Sequence, residues 1–262
     1  MLLDLIDKKI RSAFSDAALE YDLLSSLHKE IGRELMKKVI EKDRNDSVLD
    51  VGMGTGWLTK KIKFYLPEST IVGIDFAEGM LQAAQEAESD LGLIQANASC
   101  LPFKEGSFDL VVSNLSLQWV KTLKTCFGEI HHALKNEGEL MLTMFAQATF
   151  HELFEALNAA SWEKHGCDFK IERLKTRDEI RQALKDAGFG DIQLDYEIIK
   201  VHFADMFRLI RWIKDIGANT LPRHVFVGKD LLAAASRHYE KFHKDKFGIT
   251  TTFEVIWASA RK

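Results

Sequence analysis

Asp50-Val51-Gly52-Met53-Gly54-Thr55-Gly56 is the stretch that decides how this chain is read. It stands where a short apolar run, Ser47–Val51, gives way to a helical pattern from Thr55 to Leu66, stopped at Pro67. Three glycines this close together let the backbone turn sharply and come near a ligand. Their spacing separates the nucleotide loops. A phosphate-cradling P-loop requires Lys-Ser/Thr after its last glycine, and none follows here. The dinucleotide fingerprint is GxGxxG, whereas this loop is GxGxG and continues with Trp57. Asp50 lies just before the first glycine, where its carboxylate would repel a pyrophosphate and attract an ammonium group. Asp75 ends the next apolar run, Thr70–Ile74, about 20 residues downstream, where a ribose-binding acid belongs. Its two oxygens can accept from both ribose hydroxyls. The loop therefore suits a nucleoside ligand with an ammonium group and no phosphate.

Outward from this loop the apolar rhythm repeats. Leu91–Ala96, Phe108–Asn114 and Glu139–Phe145 read as strands, with helices predicted over Ala77–Ala87 and Thr122–Leu134 and a turn at Asn136–Gly138. Strands alternating with helices imply a mostly parallel sheet covered on both faces. Upstream, Asp4–Phe14 and Ala17–Ile40 carry helical periodicity. Downstream, helices over Thr149–Trp162 and Arg177–Ala187 lead to a strand at Ile192–Val201. Helices over Ala204–Ile216 and Lys229–His243 then precede a last strand at Thr250–Ala258. The expectation is an α/β fold with seven strands. Residues 44–202 and 248–262 would form the core, 1–43 an N-terminal helical flap, and 203–247 a C-terminal helical cap, too long for a plain loop.

Composition is that of a globular chain: 262 residues, 46% hydrophobic, 28% charged, net charge −4. This argues against disorder and against a global attraction to nucleic acid or membrane. Met1–Phe14 interleaves charge with apolar residues and does not read as a signal segment, and no apolar run approaches the ~18 residues of a membrane span. Cys100, Cys126 and Cys167 form no CxxC pair, as expected of reduced thiols in a cytoplasmic protein. Charge is uneven. Residues 200–262 hold twelve Lys/Arg against six Asp/Glu, and the preceding part holds 23 against 33. The basic segment reads either as a solvated surface or as a face for an acidic partner.

In combination these residues resemble the class I S-adenosylmethionine-dependent methyltransferases, with a Rossmann-like fold, over Ser47–Phe145. The resemblance implies that Gly52, Gly54 and Gly56, with Asp50, meet the methionine part of that cofactor, and that Asp75 binds its ribose. It also implies that Phe76 and Met80 flank the adenine, and that Asn97 and Ala98, in Ala96-Asn97-Ala98, meet the adenine edge with Asn in place of the usual Asp. Asn114, ending the fourth strand, would lie near the methyl group. Leu101-Pro102-Phe103 and Phe108–Val111 are similar to the family's approach to that strand. Met53 stands where a Cys is frequent.

The flanks carry a narrower resemblance, to the malonyl-acyl-carrier-protein O-methyltransferases of biotin synthesis. It rests on Phe14, Ala17-Ala18 and Tyr21-Asp22; on Ser113–Trp119; on Ala148–Leu153; on Leu209, Lys214 and Ile216–Asn219; and on Thr252–Ile256 with Ala260–Lys262. It implies methyl transfer from S-adenosylmethionine, giving S-adenosylhomocysteine, to the free malonyl carboxylate of malonyl-acyl carrier protein or malonyl-CoA. A carboxylate is already ionised near pH 7, so no general base is assigned.

Tyr21, on the helix that would cover the cofactor, is the expected hydroxyl at the methyl centre; the plain alternative is a tyrosine in a helix seam. Gln118 and Trp119 would line the site, although Trp119 also suits a core position. Arg208, Arg211, Lys214 and Arg223 are candidates to clamp the carboxylate or dock the carrier, or they form one solvated helix face. His28, His131, His132, His151 and His224 have no metal-ligand spacing and read as surface or satisfied histidines. Other readings are a methyltransferase of a different small carboxylate or hydroxyl, a nicotinamide dehydrogenase, and a non-catalytic cofactor-binding subunit. The glycine spacing and Asp50 argue against the second, Asp75 and Asn114 against the third.

Overall fold

The structure, a computed structural model, describes residues 2–41, 46–87, 91–171, 173–218 and 228–262. Its spine is a twisted sheet. The strands are β1 (Ser47–Val51), β2 (Thr70–Asp75), β3 (Gly92–Gln95), β4 (Phe108–Asn114), β5 (Leu134–Phe145), β6 (Gly190–Phe203), β7 (Lys244–Asp245) and β8 (Gly248–Arg261). They lie in the order β3-β2-β1-β4-β5-β8-β6, with β7 paired to β8 off this path. β1 to β5 run parallel, and β8 is antiparallel to both β5 and β6. Seven strands form the main path, as expected, and the two-residue β7 is an addition that no sequence pattern announced. The order reverses between β1 and β4, and in open α/β sheets ligands bind at the carboxyl ends of strands beside such a reversal.

Both faces of the central strands are buried, and alternate residues go to alternate layers. Leu49, Val51, Val111, Leu140 and Leu142 share one core with α5 (Leu123–Ala133) and α7 (Arg177–Asp186). Val48, Leu110, Val112 and Met141 share the other with α2 (Ser26–Ile40) and α3 (Trp57–Tyr65). This is why the parallel strands read as unbroken apolar runs.

Two local expectations are corrected. The turn at Asn136–Gly138 is absorbed into β5 as a bulge: Phe108 pairs with Leu134 but Leu110 with Glu139, and Glu137 takes a φ of +64°. The break between the first two helices falls at Ser25, not at residues 15–16, so that α1 spans Leu2–Leu24. Tertiary contacts explain the shift. Ser15 stays helical because α1 lies on the start of α4 (Glu78–Ala87), where Gly79 N–H donates to Ser15 Oγ at 3.2 Å. A Cβ at Gly79 would come within 2.5 Å of the Ser15 carbonyl oxygen. At the other end, the Leu24 carbonyl accepts a hydrogen bond from Trp212 Nε1 at 3.0 Å.

A third apolar layer joins α6 (His151–His165), α8 (Met206–Asp215) and α9 (Lys229–His243) through residues such as Leu157, Leu209, Leu231 and Tyr239. It is latched to β8 by buried carboxylates. Glu152 accepts from the Thr252 backbone N–H at 2.9 Å and from the Thr252 hydroxyl. Glu254 accepts from Ala148 N–H at 2.8 Å and pairs with Arg177. Glu152→Ala would leave a buried strand N–H unpaired, at a cost of about 1–3 kcal/mol. Thermal unfolding should show a Tm several degrees lower; an unchanged Tm would deny the latch its role.

Candidate active site

The loop after β1 runs through left-handed backbone at each glycine, with φ of +74° at Gly52, +57° at Gly54 and +77° at Gly56. Gly52 and Met53 N–H both donate to the Ile74 carbonyl, at 2.8 and 3.0 Å, pinning the loop to the end of β2. A Cβ on Gly52 would stand 1.8 Å from Ser116 Oγ, so the residues following β1 and β4 meet without space for a side chain. Gly56 begins α3 against Met53 and Ala84 and does not line the cavity described next.

Asp75 sits beside the loop. Its Oδ2 accepts from Gly54 N–H and its Oδ1 from Ala77 N–H, both at 2.8 Å. Each oxygen retains a second lone pair for a ligand hydroxyl. Burial raises the Asp75 pKa, and the backbone N–H groups of Ala77, Gly54 and Phe76 oppose that rise. Asp50 lies elsewhere. It is buried beneath the loop, accepts from Thr59 Oγ1 at 2.6 Å and does not line the cavity. Burial pushes its pKa up to about 7, against the hydrogen bond from Thr59.

A cavity of about 620 Å³ opens at the carboxyl ends of β1, β2, β4 and β5. One half is walled by Gly52, Gly54, Asp75, Phe76, Met80 and Asn97, with Ala98 beside them. Asn97 Oδ1 turns back to accept from Ser99 N–H at 2.9 Å, leaving one lone pair for the cavity. α1 forms the lid of this half. Asp22 Oδ1 accepts from Thr55 Oγ1 at 2.9 Å, clamping α1 to the glycine loop. Arg11 stacks over Phe76 at 5.8 Å, Phe14 packs edge-on to Trp119 at 5.4 Å, and Asp7 pairs with Lys121 at 3.4 Å.

The other half is apolar and lies under the third layer, against residues such as Leu153, Leu157, Ile210 and Leu232. Tyr21, His28, Asn114, Gln118, Phe145 and Trp212 stand around the remaining wall. Asn114 is held at both ends of its amide: Nδ2 donates to the His28 carbonyl at 3.1 Å, and Oδ1 accepts from Thr143 Oγ1 at 2.8 Å. Gln118 Nε2 donates to the Leu115 carbonyl at 2.7 Å, while its Oε1 is buried without a partner. Burial, reinforced by the Asp75 and Asp22 carboxylates, keeps the Tyr21 phenol protonated far above neutral pH.

The basic candidates separate. Lys214 reaches the cavity wall; Arg208 and Arg211 are exposed on α8, away from it. Arg223 lies outside the described residues. Among the described residues, no three His, Cys, Asp or Glu side chains form a group that could hold a metal.

Sequence reading passed over Trp212, took Asp22 and Ser116 only as parts of resembling stretches, and read His28 as a surface or satisfied histidine. The structure corrects that last reading, because the ring is buried with its Nδ1 unpartnered. A signal for His28 was present: it shares the apolar stripe of α2 with Ile31 and Leu35, which marks a buried face. What surrounds the ring could not be read from that stripe.

Comparison with known proteins agrees with this fold. A family model described as a methyltransferase domain matches residues 49–142. A malonyl-acyl-carrier-protein O-methyltransferase from Geobacter sulfurreducens is 31% identical, over 97% of this chain and 98% of its own length. The biotin biosynthesis bifunctional protein BioHC of Saccharophagus degradans is 31% identical over 94% of this chain and 45% of its own. Among solved structures, Haemonchus contortus phosphoethanolamine N-methyltransferase 2, in complex with S-adenosyl-L-methionine, is similar with a TM-score of 0.60 at 18% identity. That match covers 95% of this chain and 57% of the other.

Proposed function

This chain belongs to the family of malonyl-acyl-carrier-protein O-methyltransferases, and from that premise we propose which of its residues bind, orient and shield the reactants. It is an S-adenosylmethionine-dependent enzyme that methylates the free carboxylate of a malonyl thioester in biotin biosynthesis. The finer reading is that the thioester is carried by acyl carrier protein rather than CoA, in the cytoplasm. No helix of the described residues is long and apolar enough to cross a membrane.

The observation that carries the site reading is the pairing of Gly54 N–H with Asp75 on a cavity wall. The residues present fit the cofactor. Asp75 keeps a lone pair on each oxygen for the two ribose hydroxyls. The missing side chain of Gly54 leaves room beside it, and that of Gly52 lets Ser116 pack against the loop. Phe76 and Met80 offer apolar surface to a purine, next to Asn97 and Ala98. Asp50 acts from beneath, its bond with Thr59 tying the end of β1 to α3 under the loop. Gly56 lets the chain enter α3 in left-handed backbone. When bound, S-adenosylmethionine supplies an electrophilic methyl group on a positively charged sulfur.

The chain's own residues do the rest. The malonyl carboxylate arrives ionised, so no side chain removes a proton. Tyr21, protonated throughout the working range, donates its O–H toward the nucleophile. Asn114, fixed by His28 and Thr143, holds α2 against the ends of β4 and β5 beside the reactants. Gln118, tied by its Nε2 to the Leu115 carbonyl, forms part of the wall beside the reactants. Trp119, packed on Phe14, closes the site to water. Opposite charges cancel as the methyl moves, so a dry pocket favours the neutralising transition state over the separated ions.

Carrier binding belongs to the outer face. Arg208, Arg211 and Lys214 form no ion pair with any described residue, and they offer an acidic carrier a basic approach. Assays of methyl transfer to malonyl-acyl carrier protein, malonyl-CoA and a small malonyl thioester test the reading. Arg208→Glu with Arg211→Glu should lower kcat/KM for the carrier-bound substrate by about tenfold or more at low salt. The small thioester should be spared. Equal losses for both substrates would contradict the docking assignment.

A further inference from the structure

His28 is an anomaly in a well-packed wall. It is 8% exposed, lines the cavity, and its Nδ1 is buried with no hydrogen-bond partner. Its ring sits among aromatic rings, with centroids 5.9 Å from Tyr21, 5.7 Å from Phe145 and 6.3 Å from Trp212. Its backbone carbonyl is the partner of Asn114 Nδ2, which places the ring beside the residue expected at the methyl centre. A buried imidazole without partners is costly. Leucine or phenylalanine would pack there more cheaply, so the ring needs a reason that the free protein does not supply.

We infer that His28 is a substrate-recognition residue, whose Nε2–H donates to the free carboxylate of the malonyl group alongside the Tyr21 hydroxyl. The inference rests on the proposed reading of the reaction. With Nδ1 sealed in the wall, Nε2 is the nitrogen left for an occupant of the cavity, and an acceptor there selects the tautomer protonated at that atom. Burial lowers the His28 pKa to about 4, so the ring of the free protein is uncharged at neutral pH. An uncharged donor suits this chemistry. A buried lysine or arginine would hold the ground-state carboxylate and lose its partner as the charge vanishes, binding substrate better than transition state. Imidazole and phenol can still donate to the ester oxygens that form. Of the basic residues placed so far, Arg208 and Arg211 lie off the cavity, Lys214 reaches its wall, and Arg11 and Lys121 line the half that α1 covers, engaged with Phe76 and Asp7.

The test compares His28→Leu and His28→Gln with the wild-type chain. Three quantities are measured: steady-state transfer to malonyl-acyl carrier protein, S-adenosylmethionine affinity by isothermal titration, and Tm. Leu removes the donor together with the unpartnered nitrogen, so its Tm should be no lower than that of the wild type. Its KM for the malonyl substrate should rise by about ten- to a hundredfold, the worth of one hydrogen bond to a charged group. Cofactor affinity should change by less than about twofold, well under one such bond. Gln, which restores an N–H donor, should recover most of the loss. Wild-type KM in His28→Leu overturns the inference and leaves the reaction intact. A parallel loss of cofactor affinity in both variants also overturns it, by making His28 part of the cofactor wall. If the wild-type enzyme transfers no methyl group to the malonyl carrier, the reading of the reaction falls first and the inference with it.

Discussion

Asp75→Ala is expected to raise the dissociation constant for S-adenosylmethionine by about two to four orders of magnitude, since two hydrogen bonds to a carboxylate contribute about 1.5–3 kcal/mol each. The substitution does damage on both sides of the contact. It removes the acceptors proposed for the ribose, and it releases the N–H groups of Gly54 and Ala77 that the same oxygens hold at 2.8 Å. The loop is then less well ordered before any ligand arrives. Asp75→Asn keeps one acceptor oxygen and should fall between the two. Isothermal titration measures this directly, and an alanine variant with unchanged affinity would remove Asp75 from the binding site.

Gly52→Ala should be a severe single-methyl change, abolishing measurable cofactor binding and transfer and lowering Tm. Two costs add. A left-handed backbone costs a residue with a Cβ about 1–2 kcal/mol. In addition, the new carbon would stand 1.8 Å from Ser116 Oγ and 2.4 Å from Ser116 Cβ. Rotating the serine hydroxyl away does not remove the second overlap. The loop cannot retreat either, because Gly52 and Met53 N–H are both bonded to the Ile74 carbonyl. Adding Ser116→Gly should recover part of the lost stability, because the two positions are in contact and their effects are not additive. Gly54→Ala is the contrast. Its Cβ meets nothing closer than Met80 Sδ at 4.0 Å, so it carries only the backbone cost to stability and fills space on the ligand side. Binding and Tm measured on the three variants would separate strain from collision. A Gly52→Ala protein with wild-type affinity would mean that the loop is not the cofactor's seat.

Much of the architecture was legible because it is written in short-range patterns. The bounds expected for β1, β4 and α9 coincide with those observed. Each is a compact apolar or amphipathic run with turn chemistry at its ends. Misreadings fell where a distant contact overrode local preference. Ser15 and Asp16 look like a helix break, yet α1 passes through them because it is held on Gly79. Asn136-Glu137-Gly138 looks like a turn from helix to strand, yet the neighbouring strand draws it into β5 as a bulge. Asp50 shows the limit in another form. The strand's two-residue alternation puts it with Val48, on the α3 side, where Thr59 receives it. Its charge says nothing of that.

What the chain's residues determined alone was the succession of strands and helices, the glycine loop, and the acid at the end of β2. These depend on periodicity, on backbone freedom at glycine, and on spacing over about twenty residues, all properties of neighbours along the chain. Only the folded arrangement decided that Asp22 would clamp the loop, that Ser116 would occupy the space a Gly52 side chain needs, and that His28 would stand unpaired among Tyr21, Phe145 and Trp212. An apolar stripe declares that a face will be buried but not what it will meet, because the hydrophobic effect that buries it has no direction.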